Sequence, residues 1–192
     1  METTNAPRLV RALRKAYDQK KGRTELEGAE AGFTLIELMV VLLIMAILLA
    51  IAIPTFLGVK SGAYDRSAQS SLTNALTSAK AGYANGGTYG TTPALEVAAL
   101  SSAEPNITFT AGSVSQASGN AVSVNVSTDG NQLLLVGFSQ SGNCWAAVDN
   151  EGAATALTNT PAGQGIQYAH WAPTSSACVA TAPASPGWAA HF

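Results

Sequence analysis

A chain of 192 residues is long enough for one folded domain with appendages, and its formal net charge of −2 says little until the charges are placed. Residues 1–32 carry Arg8, Arg11, Arg14, Lys15, Lys20, Lys21 and Arg23 against five acids, whereas the rest has only Lys60, Arg66 and Lys80 against seven. A body this poor in cations cannot neutralise many phosphates, which argues against nucleic-acid binding.

Residues 1–32 read as a leader that is cleaved off rather than as part of the fold. Leu9, Val10, Leu13 and Tyr17 are spaced to line one face of a short helix lying on a membrane surface. A disordered basic tail fits the same residues equally well.

The next segment, 33–59, is the main signal of the chain. Its only polar side chains are Thr34, Glu37 and Thr55, and Leu38 to Ile53 has none. As a helix rising about 1.5 Å per residue it spans roughly 40 Å, more than the ~30 Å of a bilayer's hydrocarbon core. It is expected to be a transmembrane helix. The basic residues on its N-terminal side place that end in the cytoplasm and the body outside.

Residues 60–85 keep a helical period, with Ala68, Leu72, Ala75, Leu76, Ala79 and Tyr83 on one stripe. The stripe stops at Asn85-Gly86-Gly87. The membrane helix is therefore expected to continue as an amphipathic one, broken or bent near Pro54 and Gly58 because proline removes a donor and crowds the carbonyl of Ala50.

Residues 86–192 are expected to form an extracellular globular β head. The period shifts to two at Ile107 and Phe109; Val122, Val124 and Val126; Leu133, Leu135 and Gly137 or Phe138; and Trp145, Ala147 and Asp149. Ser127-Thr128-Asp129-Gly130-Asn131 and Ser139-Gln140-Ser141-Gly142-Asn143 are the expected turns between the last three of these strands. Three or four antiparallel strands packed on the outer helix give an α+β class, with a loop-rich end beyond Gly152. Cys144 and Cys178 both fall on the exported, oxidising side, so a disulfide is the default reading and two buried thiols the alternative.

The stretch AGFTLIELMVVLLIMAILLAIAIP, with its Gly-Phe-Thr-Leu-Ile-Glu core at 32–37, resembles the N-terminal signature of type IV pilins and their pseudopilin relatives. The resemblance covers Ala31 to about Leu57. It implies the pilin fold, in which a long N-terminal helix packs on a small antiparallel sheet with a disulfide-closed C-terminal region. It also implies cleavage after Gly32 by a prepilin peptidase and N-methylation of the new terminus, Phe33. Glu37 would then pair with the α-ammonium of Phe33 on a neighbouring subunit. A charge in lipid costs about 2.5 to 3.5 kcal/mol or more, much of which an opposite charge recovers. The alternative is a carboxylate that snorkels to the headgroups. Pro54 matches the place where family helices lose regularity during assembly. NALTSAKAGYANGGTYG, the Cys144-Trp145 pair and CVATAPASPGWAAHF are similar to pilins of Gram-positive, actinobacterial type.

The implied protein is a non-enzymatic subunit of a helical homopolymer, made with no cofactor and no metal. It sits first in the cytoplasmic membrane and then in a surface pilus for adhesion or motility, with prepilin peptidase and the pilus assembly machinery as partners. A minor pilin or type II secretion pseudopilin competes within the class. Outside it, a secreted binding module is open, because Ala50-Ile51-Ala52 fits signal peptidase. His170 and His191 lack metal or base spacing, and Asp129, Asp149 and Glu151 read as turn residues with local backbone partners. Asp149-Asn150-Glu151 hints only faintly at a calcium loop. Trp145, Trp171 and Trp188 read as cover for the head's core. Asn106-Ile107-Thr108 and Asn125-Val126-Ser127 fit a glycosylation pattern that chance produces often.

Overall fold

The computed structural model describes residues 12–17, 32–112, 114–115, 120–154, 156–173, 177–184 and 186–192. The chain divides into two units, Met1–Ala52 and Ile53–Phe192. In the first, residues 12–17 are helical and expose Leu13 and Tyr17; Leu9 and Val10 of the expected stripe lie outside the described residues.

Helix α1 runs Leu35–Gly86, 52 residues. Of the break or bend expected near Pro54 and Gly58, the break does not occur, since helical backbone continues through both. Pro54 lacks the N–H that Ala50 would receive, but a single missing bond is carried by regular turns on either side. From Ala68 onward α1 is amphipathic as its period predicts: Ala68, Leu72, Ala75, Leu76 and Ala79 are buried, and Tyr83 packs beside them. Gly87, at φ +70°, stops the helix while its N–H returns to the Tyr83 carbonyl at 2.6 Å.

A second helix, α2 (Pro93–Ala103), was not expected from the sequence pattern. Thr92 precedes Pro93 at the first helical position, where a missing N–H costs nothing, and an Ala- and Leu-rich run follows.

The strands, among the described residues, are β1 (Thr108–Thr110), β2 (Val114–Ser115), β3 (Ala121–Val126), β4 (Gln132–Phe138), β5 (Cys144–Asn150), β6 (Gly165–Trp171) and β7 (Ala177–Cys178). The main sheet has the order β1-β3-β4-β5-β6, and β2 pairs separately with β7. Both expected turns are where the sequence places them, joining β3 to β4 and β4 to β5 antiparallel. Two expectations need correcting. The sheet is mixed, because β1 lies parallel to β3, and it has a fifth strand, β6, in the region read as loop.

Strand β4, QLLLVGF, is buried at every position. Leu133 and Leu135 join Leu72, Leu76, Val122 and Val124 in a cluster on the α1 side. Leu134, Val136 and Phe138 face the other way, with Val114, Cys144, Cys178, Leu157, Trp171 and Trp188. The sheet is thus covered on both faces, which is why its central strand is uniformly apolar rather than alternating. The Cys144–Cys178 disulfide ties β5 to β7 in the second layer. Fully buried Gln132 and Asn150 hold the loop after β5: both amide groups donate to the Pro161 carbonyl, at 3.0 and 3.3 Å. At Gly130, φ +70°, an added Cβ would lie 1.9 Å from Thr88 Oγ1 and 2.8 Å from the Gly90 carbonyl. No other residue fits that turn unstrained.

Candidate processing and assembly site

Sequence reasoning singled out Gly32, Phe33, Glu37 and Pro54. The structure brings the first three together at the start of α1 and places Pro54 farther along the same helix. Gly32 and Phe33 are exposed, non-helical residues. A Cβ at Gly32 meets nothing within 4 Å among the described residues, so packing in this chain does not demand a glycine there. What glycine supplies at this junction is an unhindered, extended peptide.

Thr34 closes the helix end. The Glu37 backbone N–H donates to Thr34 Oγ1 at 3.2 Å, and Glu37 Oε2 accepts from the Thr34 backbone N–H at 3.4 Å and from its hydroxyl at 3.2 Å. This is a reciprocal capping box, which satisfies two of the orphan donors at a helix start. Glu37 therefore has a partner inside its own chain, and its negative charge lies at the positive end of the helix dipole. The Thr-x-x-Glu spacing at 34–37 was the signal for this role, which neither the pairing with a neighbour's Phe33 nor the snorkelling alternative drew on.

Beyond the cap, the large apolar side chains from Phe33 to Val59 are all exposed. Residues 32–63 are all exposed, and the stretch is long and apolar enough to cross a membrane. Such exposure of contiguous apolar surface calls for a cover that none of the described residues provides.

In the head, two polar clusters pin α1 to the sheet. At the first, Asp65 accepts from Ser141 Oγ at 2.5 Å and from Trp145 Nε1 at 3.0 Å. Burial pushes the Asp65 carboxyl up, but the Ser139, Ser141 and Trp145 donors, helped by His170, outweigh it and hold it below the usual carboxylate range. At the second, Lys80 Nζ donates to Asp149 Oδ2 at 2.7 Å and to Glu151 Oε1 at 2.9 Å, and Tyr89 O–H donates to Asp149 Oδ2 at 2.5 Å. Burial would lower the Lys80 ammonium, yet its two carboxylate partners raise it.

Asp149 thus corrects the sequence reading. It lies in a strand, fully buried, and meets side chains of α1 and the following loop instead of local backbone. Trp145, Ala147 and Asp149 alternate onto the α1 side, so the burial of Asp149 was implied by the strand assignment itself. Asp129 is a turn residue as expected, accepting from Ser127 Oγ, the Asn131 N–H and the Ala154 N–H. The Ser127 bond leads the causes that keep its carboxyl low.

The remaining candidates fall into place around these pins. Trp145, Trp171 and Trp188 are half-buried against the two apolar clusters. His170 stacks on Trp145 with ring centroids 4.8 Å apart, and His191 lines the same cleft of about 240 Å³. Asn106 is exposed, whereas Asn125 donates its amide to the Ala180 carbonyl at 3.0 Å. No group of three or more His, Cys, Asp or Glu side chains that could hold a metal occurs among the described residues.

Residues 28–53 match the family described as the prokaryotic N-terminal methylation motif. The chain carries this type IV pilin-like signal, and the matched segment contains Gly32, Phe33, the Thr34–Glu37 cap and most of the apolar run. No curated protein matches the chain, and no solved structure does.

Proposed function

We propose that this chain is the precursor of a type IV pilus subunit. A prepilin peptidase cuts between Gly32 and Phe33, Phe33 is N-methylated, and copies polymerise through the apolar part of α1. The observation that carries this reading is the coincidence of the methylation motif at 28–53 with a capped helix start and an uncovered apolar run. Cutting after Gly32 removes the basic segment and leaves Thr34, its N–H and the cap intact.

In this reading the precursor is held in the cytoplasmic membrane by α1, and the assembled copies stand on the cell surface. The partners are the membrane, the peptidase, the assembly machinery and further copies of the chain. Glu37, already turned toward the helix start, takes the α-ammonium of Phe33 from a neighbouring copy and so sets the axial register. Pro54 is the point at which α1 gives way during assembly. The head is a structural module with no catalytic role, and the resemblance of NALTSAKAGYANGGTYG, the Cys144-Trp145 pair and CVATAPASPGWAAHF supports a Gram-positive, actinobacterial lineage. A pseudopilin or minor pilin shares the motif and differs in abundance within the filament.

Mass spectrometry of the mature chain tests the proposal. An N-methylated Phe33 terminus is expected, and a terminus at Ile53, after Ala50-Ile51-Ala52, would replace it with a secreted module. Glu37→Ala is expected to be processed normally and to abolish or severely reduce filaments. Normal piliation of that variant would remove the charge-pairing role.

A further inference from the structure

The second pin contains more chemistry than an ion pair requires. Lys80 brings an amine from α1, Asp149 a carboxyl from β5, Glu151 a second carboxyl and Tyr89 a phenol, all meeting within 2.9 Å of one another along the bonded contacts. Asp149 has no exposed surface, and its Oδ1 has no hydrogen-bond partner among the described residues. Tyr83 packs on Tyr89 with ring centroids 4.6 Å apart and adds an apolar wall to the site.

We propose that Lys80 and Asp149 condense into a side-chain amide that joins α1 covalently to the sheet, with Glu151 carrying the proton and Tyr89 holding the carbonyl oxygen. The ammonium and carboxylate already contain every atom needed. Lys80 passes one proton to Glu151, and its freed electron pair forms a bond to Asp149 Cγ. The Cγ–Oδ1 bond then breaks. Two of the three ammonium protons, one of them returned by Glu151, depart with Oδ1 as water, and the third stays on the amide nitrogen. No oxidant, cofactor or activating group enters.

The geometry assigns each oxygen a fate. Oδ2 accepts from Tyr89 and remains as the amide carbonyl, polarised through the addition step by the same phenol. Oδ1, which no described residue holds, is the one that leaves. Asp149 is fully buried while Lys80 is 40% exposed, so the ion pair keeps a desolvation penalty on its carboxylate side that an amide does not. The two carboxylates oppose the first step by keeping Lys80 protonated. The reaction therefore waits on the rare proton transfer to Glu151, which a one-time event in a folded chain can do.

This inference concerns the head alone and does not depend on how the N-terminus is processed. The test is the intact mass of the full chain, purified from cells and aged at neutral pH. The expected product is lighter by one water than the disulfide-bonded sequence, and its digest yields one branched peptide linking residues 80 and 149. Lys80→Arg should retain the full mass, and Glu151→Gln should form the link at least ~100-fold more slowly, as loss of a proton carrier implies. Disulfide formation reports that the head has folded. A disulfide-bonded wild type with no water loss overturns the proposal. So does water loss without a branched peptide, which would mark cyclisation at an aspartate instead.

Discussion

The two halves of α1 have the same secondary structure and opposite surroundings. From Phe33 to Val59 every large apolar side chain is exposed, whereas from Ala68 to Ala79 a stripe of alanines and leucines is buried beneath the sheet. The first half is apolar all round and the second on one face only. A helix that is apolar all round needs a cover from outside the chain, and an amphipathic one is completed by its own domain. The same helical period therefore leaves an uncovered surface at one end and completes the folded domain at the other.

Swapping the same substitution between the halves should break the symmetry most visibly. Leu72 is fully buried, so Leu72→Ala is expected to destabilise the head by about 2–5 kcal/mol in urea unfolding. Leu48→Ala, at an exposed site, should leave head stability within about 0.5 kcal/mol of the parent. Equal losses would mean that the exposed half contributes to folding after all.

Next in size is the covalent tie of the second layer. Replacing Cys144 and Cys178 together by serine removes a link between residues 34 apart and should cost about 3–4 kcal/mol.

A smaller effect separates the head from the rest of the chain by pH. Glu96 faces inward from α2, 6% exposed, and burial pushes its carboxyl up to about 7 from 4.5. The folded state then holds a proton that the unfolded state releases, so the stabilisation is complete below pH 4.5 and is lost as pH rises through 7. The head should be less stable at pH 8 than at pH 5 by up to about 3 kcal/mol from this group, and Glu96→Gln should flatten that slope. Asp65, held low by its donors, works in the opposite direction and destabilises only as acid protonates it. An unchanged slope in Glu96→Gln would place the pH response elsewhere.

Much of this division was legible in the residues alone. The apolar run, the stripe from Ala68 to Tyr83, the stop at Gly86-Gly87 and the two hairpin turns are local signals, and the structure bears out each of them. Cys144 and Cys178 pair, as their number and side of the membrane suggested. What escaped notice was of two kinds. Some signals were present but unread, such as Thr34-x-x-Glu37, Thr92-Pro93 and the alternation of Ile166, Tyr168 and His170 in β6. Others are not local at all. The parallel pairing of β1 with β3 crosses the connection between them, and the partner of Asp149, Lys80, arrives from a helix 69 residues earlier.

The sheet's double cover gives the head two cores with a single wall between them. Leu72 belongs to one, Trp188 to the other, and the strands stand between. Energetic effects of substitutions at such separated sites add rather than couple. The outer layer, closed by its own disulfide, can therefore be rebuilt by successive mutations while the helix-facing layer stays as it was. Such a head can change its far layer without renegotiating how it packs on α1.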